Sequence, residues 1–291
     1  MLLTVLAALM LSLFGLLAAG KPSQAIVGGT EVKPVGKYPF MVALLYGKDP
    51  AKNPQRNLFC GGTLIDKDSV LTAAHCVQGI STGDLKAGKL KVIVGATHLG
   101  VDQGVVGDVS RALPHPGYNR NPDNGYDAAV LTLEQPVRNP KTVHLATLFQ
   151  DYLEQPGRAA TAAGWGKTWT LGRQVSWMRE VQVPIRTDKD AESAYNSKGK
   201  KVYFRNLMVP AGNQRAGVYK GDSGGPLFAK DHKGRYTQIG IVSFGTNVYG
   251  RLYCDILLEQ CPDVYTEANN PSIRKFITSA KKDTSPGAML R

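Results

Sequence analysis

Three segments of the chain carry side chains that could together perform nucleophilic catalysis. Ser223 lies in the glycine-rich segment Gly-Asp-Ser-Gly-Gly-Pro, His75 ends the segment Leu-Thr-Ala-Ala-His, and Asp127 begins the segment Asp-Ala-Ala-Val-Leu. A serine hydroxyl is a poor nucleophile at neutral pH and needs a neighbouring base, and glycines permit the sharp turn that exposes it. The order His, Asp, Ser along a chain is one of three known for such a triad. The sequence therefore predicts a serine nucleophile with His75 as its base.

Short strands must position these side chains. Runs of β-branched and aromatic residues recur between turn-forming residues, which is typical of an all-β chain folded as a sandwich or a barrel. The runs are Phe40–Tyr46, Lys91–Val94, Ala129–Leu133, Glu180–Ile185, Tyr236–Phe244 and Val264–Thr266. Helical patterning is scarce before the Asn-Asn-Pro-Ser segment that starts at Asn269. There we expect one terminal helix of about two to three turns.

The first 25 residues have the composition of a secretory signal. Leu2–Ala19 is almost continuously apolar, and no charged side chain precedes Lys21. Small residues at Ser23 and Ala25 stand where a signal peptidase requires them. The apolar run is long enough to span a bilayer, so a membrane anchor is the alternative. Export implies an oxidising compartment, in which paired cysteines are expected.

Composition narrows the class of the remaining chain. With 43% apolar and 20% charged residues, the chain can bury a substantial core, and its 32 glycines have no regular period that would indicate a fibre. No internal repeat and no second long apolar run occurs. The formal net charge of +12 suggests an anionic partner without naming one. The four cysteines include no Cys-x-x-Cys pair that would indicate zinc or thioredoxin-like redox chemistry.

The chain resembles the trypsin/chymotrypsin family of secreted serine endopeptidases from residue 26 to about residue 281. Several motifs match in family order, which is far more specific than any one of them. They are Ile26-Val27-Gly28-Gly29, Cys60-Gly61-Gly62-Thr63-Leu64-Ile65, Thr72–Cys76, Asp127-Ala128-Ala129-Val130-Leu131, Gly164-Trp165-Gly166, Gly221–Pro226 and Ser243-Phe244-Gly245.

The resemblance implies an all-β fold of two antiparallel six-stranded β-barrels with a C-terminal α-helix and an active-site cleft between the barrels. The expected domains are a signal peptide at 1–25 and a peptidase domain at 26–291. Within the peptidase domain, the first barrel is expected at about 26–145, the second at about 146–267 and the helix at about 270–281.

The resemblance also implies a role for each catalytic group. Ser223 attacks the scissile carbonyl, and His75 takes its proton and passes it to the leaving amine. Asp127 holds the imidazole in the right tautomer and stabilises its cation. The backbone N–H groups of Gly221 and Ser223 are expected to form the oxyanion hole.

Processing between Ala25 and Ile26 is the expected activation step. In the family, the released amino group of the first mature residue forms a buried ion pair with the aspartate before the nucleophile; here those residues are Ile26 and Asp222. Most relatives are cleaved after Arg or Lys, whereas Ala25 stands at that position here. We expect signal peptidase to release the active form directly. The alternative is a cut after Gly20, which leaves Lys21–Ala25 as a propeptide for another protease.

The cysteines follow the family only in part. By resemblance, Cys60 and Cys76 form the disulfide beside the catalytic histidine. Tyr219 replaces the family's cysteine before the nucleophile, so the pocket disulfide is absent. Cys254 and Cys261 are then left to pair across a short loop.

The walls of the primary pocket determine the substrate. Gly217 stands where trypsin-like members carry Asp, and Asp263 supplies a carboxylate from the opposite wall. Two opposite charges about 4 Å apart interact by about 4 kcal/mol at an effective dielectric of about 20, which is enough to select Lys or Arg. We therefore expect basic or broad specificity at the residue before the scissile bond. Val218, which is apolar, keeps open an elastase-like preference for small aliphatic residues.

Other residues are expected to line the cleft. Ser243, Phe244 and Gly245 should pair with the substrate backbone as an antiparallel strand, and Gly245 should leave the pocket entrance open. Lys220, beside the oxyanion hole, is expected to favour acidic residues after the scissile bond.

The sequence thus predicts a secreted, monomeric endopeptidase that hydrolyses peptide bonds through an acyl-enzyme. We expect protein or peptide substrates, protein protease inhibitors as further partners, and no nucleic acid, cofactor, metal or membrane partner after signal removal. The segment Gly95-Ala96-Thr97 lacks the first acidic ligand of the calcium loop of some relatives. The alternative from another class is a non-catalytic cationic binding or antimicrobial relative. Such proteins typically lose a triad residue, whereas all three are present here.

Overall fold

The structure, a computed structural model, describes residues 26–102, 104–121, 124–167, 174–196, 201–213, 216–245 and 261–282. The strands are β1 (Thr30–Glu31), β2 (Met41–Tyr46), β3 (Leu58–Asp66), β4 (Ser69–Thr72), β5 (Leu90–Val94), β6 (Val105–Pro114), β7 (Ala129–Leu133), β8 (His144–Leu145), β9 (Ala159–Gly164), β10 (Arg179–Pro184), β11 (Met208–Ala211), β12 (Pro226–Lys230), β13 (Tyr236–Phe244) and β14 (Asp263–Glu267). The α-helices are α1 (Pro54–Asn57), α2 (Ala74–Val77), α3 (Thr82–Lys86), α4 (Asp188–Tyr195) and α5 (Pro271–Lys282). Two 3-10 helices cover Pro50–Lys52 and Leu148–Glu154.

Six antiparallel strands close the first barrel in the order β2, β3, β4, β7, β6, β5. Strand β2 pairs on one side with β3, where Val42 faces Gly62, and on the other with β5, where Val42 faces Val94. Both faces of β2 are covered, since Met41–Leu45 have no exposed surface. A closed barrel leaves no unpaired edge strand.

The second barrel is formed by β10, β9, β12, β13, β14 and β11. Its two end strands meet just beyond their regular pairing: the Arg186 N–H donates to the Pro210 carbonyl at 2.8 Å, and the Gly212 N–H donates to the Pro184 carbonyl at 2.9 Å. Strand β1 extends this sheet beside β10, and β8 adds in parallel to β13. The predicted two-barrel fold is therefore confirmed.

Buried contacts join the barrels around the cleft. The Gly61 N–H donates to the Ser223 carbonyl at 2.7 Å, and the Thr63 hydroxyl donates to the Gln238 side chain at 2.7 Å. Tyr38 of the first barrel contacts Phe228 of the second edge to face, with ring centroids 5.0 Å apart. These contacts fix the position of Ser223 relative to the first barrel.

The predicted terminal helix is confirmed as α5. Its apolar residues Ile273, Phe276 and Ile277 are buried in the core cluster of the first barrel, although the helix follows the last strand of the second. The chain end therefore ties the two barrels together. No helix in the described residues is long and apolar enough to cross a membrane.

Candidate active site

Adjacent strand ends bring His75 and Asp127 together. Strands β4 and β7 pair with Thr72 opposite Ala129. His75, which follows shortly after β4, therefore lies near Asp127, which shortly precedes β7. The His75 ring Nδ1 lies 2.7 Å from Asp127 Oδ2, and the His75 backbone N–H donates to Asp127 Oδ1 at 2.9 Å. The carboxylate thus fixes both the ring and the backbone of His75.

The Asp127 carboxylate is fully buried and receives a further donor. The Ser243 hydroxyl donates to Asp127 Oδ2 at 2.6 Å, and the Thr266 hydroxyl donates to the Asp127 carbonyl at 3.1 Å. Burial raises the pKa of Asp127, but the charge of His75 and the hydrogen bonds outweigh it, so the pKa lies below its ordinary value. Burial likewise lowers the pKa of His75, but the charge of Asp127 and its hydrogen bond together raise it by more, so the pKa lies above its ordinary value.

Ser223 lies in a glycine turn immediately before β12. Gly224 has φ +77°, and a Cβ at this position would overlap the Thr72 hydroxyl, so only glycine fits. The Gly224 N–H donates to the Val242 carbonyl at 2.8 Å, which fixes the turn against β13. Ser223 Oγ and His75 Nε2 are not hydrogen-bonded in the described part of the chain, as is common before a substrate binds.

The peptide before Gly221 is oriented by a contact with a neighbouring loop. The Lys220 carbonyl accepts from the Lys167 N–H at 2.7 Å. Because the carbonyl and N–H of a trans peptide point in opposite directions, the Gly221 N–H is directed away from Lys167. Gly221 has φ +99°, which glycine adopts without strain. Among the described residues, neither the Gly221 nor the Ser223 N–H donates to a protein acceptor, so both are free to bind an oxyanion.

Ile26 and Asp222 are both buried. Ile26 has no exposed surface, and the next residue, Val27, accepts a hydrogen bond from the Gly217 N–H at 3.2 Å. The Asp222 carboxylate accepts from the backbone N–H groups of Gly166 at 2.9 Å and Tyr219 at 3.0 Å. Burial raises its pKa to about 7 although these hydrogen bonds lower it. Among the residues that the structure describes, no cation pairs with this carboxylate.

Asp263 lies between two glycines of the predicted pocket. A Cβ at Gly217 would overlap one Asp263 carboxylate oxygen, and a Cβ at Gly245 would overlap the other. The Val218 N–H donates to Asp263 Oδ2 at 2.8 Å. Burial raises the pKa of Asp263 to about 8, the hydrogen bond lowers it, and the charge of Asp222 raises it.

The remaining predicted cleft residues line one small cavity of about 50 Å³. Val218, Lys220, Ser223, Ser243, Phe244 and Gly245 are among its walls. Sequence reasoning assigned Ser243 to the substrate backbone and missed its hydroxyl contact with Asp127. It also missed Thr266, because a threonine in a buried strand carries no local signal of such a role.

Cysteine pairing near the histidine follows the expectation. Cys60 and Cys76 form a disulfide. Cys261 is also disulfide-bonded, and its expected partner Cys254 lies outside the described residues. Cys60, Cys76 and His75 are the one group in the described residues whose donor atoms lie close enough for a metal ion, but oxidised cysteines offer no thiolate.

Comparison with known proteins gives one family. The family model for trypsin matches residues 26–273. A trypsin of Saccharopolyspora erythraea is 35% identical over 247 residues, which are 81% of this chain and 97% of that protein. Granzyme F of Mus musculus is 32% identical over 77% of this chain and 83% of its own length, and mouse cathepsin G is 31% identical over 82% and 83%. With the trypsin family model matching most of the chain and a histidine held by a buried aspartate, the chain belongs to the trypsin family of serine endopeptidases.

Proposed function

We propose that this protein is a secreted endopeptidase in which Ser223 is the nucleophile, His75 the general base and Asp127 the residue that orients it. The observation that carries the proposal is the buried Asp127 carboxylate, which accepts from both the ring and the backbone of His75 at 2.7 and 2.9 Å. A carboxylate in this position fixes Nδ1 as the protonated nitrogen and leaves Nε2 to accept the serine proton.

The reaction proceeds in two halves. Ser223 Oγ attacks the scissile carbonyl while His75 Nε2 takes its proton, and the N–H groups of Gly221 and Ser223 stabilise the oxyanion, where such a donor contributes about 3 kcal/mol. His75 then donates the proton to the leaving amine as the acyl-enzyme forms. A water molecule, activated by His75 in the same way, releases the acid product.

The pocket beside Asp263 supports basic or broad specificity. The Asp263 carboxylate packs against both Gly217 and Gly245, and those glycines leave space for it. Its pKa of about 8 means that it is largely neutral at neutral pH until a cation binds. The pocket then accepts neutral side chains as well as Arg and Lys at the residue before the scissile bond.

Cleavage after small aliphatic residues is the second candidate. It is favoured by the small cavity and by the hydrogen bond that the Val218 N–H already donates to Asp263. Peptides that differ only in the residue before the scissile bond distinguish the two. Faster cleavage after Ala or Val than after Arg at pH 8 would select the second.

Activation by release of the Ile26 amino group is part of the proposal. Ile26 is buried, and Asp222 pairs with no cation of the described residues. A new ammonium group beside Asp222 would stabilise the ionised carboxylate. We propose that signal peptidase exposes Ile26 during secretion; amino-terminal sequencing that finds a stable secreted form starting at Lys21 would contradict this step.

Labelling with a fluorophosphonate probe tests the catalytic assignment. The form that starts at Ile26 should be labelled on Ser223 and should cleave peptides, whereas Ser223→Ala should do neither. Ser110→Ala, on the exposed strand β6, is the matched control and should remain active. Correctly processed protein without label would favour the non-catalytic binding alternative.

A further inference from the structure

A second, larger cavity borders His75. Its volume is about 480 Å³, and its walls include His75, Cys76 and Phe59. The predicted primary pocket lies next to Ser223 and Gly245, on the acyl side of the scissile bond. In the proposed mechanism His75 hands its proton to the leaving amine, and this cavity is lined by His75 but by no residue of the predicted primary pocket, which makes it a candidate site for the leaving peptide.

The charge of this cavity is set by Arg56. No acidic residue belongs to its walls in the described part of the chain, and Arg56 is the wall residue with a permanent charge. The Arg56 side chain is exposed and makes no hydrogen bond or ion pair with the described residues. A guanidinium without a counter-charge at the rim of a cleft attracts carboxylates, which it binds through two parallel hydrogen bonds.

Helix α1, which carries Arg56, is fixed by its neighbours. The Gln55 side chain donates to the Gln174 carbonyl of the second barrel at 2.7 Å. The Asn57 side chain donates to the carbonyls of Pro50 and Asn53 at 3.1 and 3.0 Å. The helix is short, but these contacts hold its position relative to both barrels.

Aromatic rings complete the walls of the cavity. Tyr46 and Phe59 meet edge to face, with centroids 6.2 Å apart. Such rings cover the methylene part of a side chain whose charged end reaches Arg56. The cavity thus offers an apolar wall and one cation.

We propose that this cavity binds an acidic side chain of the substrate on the leaving-group side of the scissile bond, with Arg56 as its cation. The inference rests on the proposed endopeptidase function. Exposed ion pairs contribute little, about 0.2–1 kcal/mol. The expected preference for Asp over Asn is therefore about 1.4-fold to fivefold in kcat/KM, and it falls at high salt.

Matched peptides test the proposal. Quenched fluorescent substrates carry Asp or Asn at the first, second or third residue after the scissile bond and are otherwise identical. The wild type should prefer Asp at one or more of these positions, Arg56→Gln should lose that preference, and Arg56→Glu should prefer Lys there. Lys220 is retained in every variant, so a preference that it causes would survive.

Lys52→Gln is the control for net charge. Lys52 lies in the neighbouring 3-10 helix, its side chain is 80% exposed, and it pairs with Asp49 at 3.0 Å. This variant should keep the wild-type preference. Equal rates on Asp and Asn peptides in the wild type, or an unchanged preference in Arg56→Gln, would overturn the inference while leaving the endopeptidase intact. Cleavage of no peptide by the wild type would overturn the proposed function itself, and this inference with it.

Discussion

Asp127 depends on donors from several elements. Its carboxylate accepts from His75 in α2 and from Ser243 in β13, and its carbonyl accepts from Thr266 in β14. The first barrel supplies the acid and the imidazole, and the second barrel supplies the hydroxyls. The orientation of the imidazole is therefore sensitive to a residue of the other barrel.

We expect Ser243→Ala to lower kcat/KM by about tenfold or more, because hydrogen bonds to charged groups contribute about 1.5–3 kcal/mol. The loss of this donor makes Asp127 more basic, which raises the pKa of His75, so the acidic limb of the kcat/KM profile should move to higher pH. Ser110→Ala is the control, because the Ser110 hydroxyl donates to the Thr132 carbonyl on an exposed strand at 3.1 Å. A wild-type rate and profile in Ser243→Ala would contradict this role.

Asp263 gives the specificity a dependence on pH. Its pKa is raised to about 8, chiefly by burial, and only its ionised form attracts a cationic side chain. The ratio of kcat/KM for an Arg peptide to that for a Leu peptide should therefore rise by about tenfold or more from pH 6 to pH 9. Because both peptides use the same His75, its titration cancels in the ratio. Asp263→Asn should make the ratio low and independent of pH; a constant ratio in the wild type would count against Asp263 as the pocket charge.

At the level of elements, strands with marked composition were predictable. The runs Ala129–Leu133 and Tyr236–Phe244 coincide with β7 and β13. Strand β9 was missed because its sequence, Ala-Ala-Thr-Ala-Ala-Gly, has low β-propensity. It is a strand because a neighbouring strand pairs with it, which its own sequence does not show. Helix α4 was missed although Thr187 and Asp190 form a capping box at its start.

The residues of the candidate site likewise fall into two groups: those that a local sequence motif marks and those that it does not. The histidine, aspartate and serine stand in recognisable local motifs, so the sequence alone predicts that they act together. Arg56 and Gln174 stand in no such motif: Arg56 is singled out by the cavity that it lines, and Gln174 by partners that are distant in the chain. The Gln174 side chain, for example, donates to the Leu58 carbonyl at 2.6 Å, across 116 positions.

Gln174 links helix α1, strand β3 and the turn at Gly221. Its carbonyl accepts from Gln55, its amide donates to Leu58, and its Nε2 lies 3.0 Å from where a Cβ of Gly221 would be. We expect Gln174→Met to lower kcat by about fivefold to tenfold with KM changed less than about twofold, because small displacements of positioned groups slow the chemical step. The thermal midpoint should change little.

Gln150→Met is the matched control for this experiment. Gln150 accepts from Thr147 and donates to Asp231, remote from the cleft residues. Its variant loses similar hydrogen bonds and should keep the wild-type kcat. An equal loss in both variants would assign the effect of Gln174 to general stability.

Across the whole molecule, charge is distributed unevenly between surface and interior. The formal net charge is +12, yet within the described residues several carboxyl groups are buried or partly buried and pair with no cation. Burial raises the pKa of Asp222 to about 7 and that of Asp263 to about 8. Burial and the charges of neighbouring carboxylates raise the pKa of Glu154 to about 9 and that of Glu267 to about 7.

These groups make the folded chain less stable as the pH rises. In the unfolded chain, carboxyl groups titrate near their ordinary pKa of about 4, so between pH 5 and 9 the folded state binds more protons than the unfolded state. The stabilisation is complete below the unfolded pKa and is lost as the pH rises through the folded pKa. The thermal midpoint of Ser223→Ala protein, which cannot digest itself, should accordingly fall from pH 5 to pH 9.

A variant at Glu154 distinguishes the pH dependence caused by buried carboxyl groups from that caused by other titrating groups. It lies at the end of the 3-10 helix Leu148–Glu154 and faces Glu267 and Asp151, and one of its carboxylate oxygens is buried without a hydrogen-bond partner. Glu154→Gln cannot ionise, so in the Ser223→Ala background its thermal midpoint should gain on the parent as the pH rises from 6 to 9. Glu134→Gln, an exposed site with the same change in charge, should run parallel to the parent over that range. If the Glu154 and Glu134 variants followed the same curve, the buried carboxyl pair would not be the source of the pH dependence.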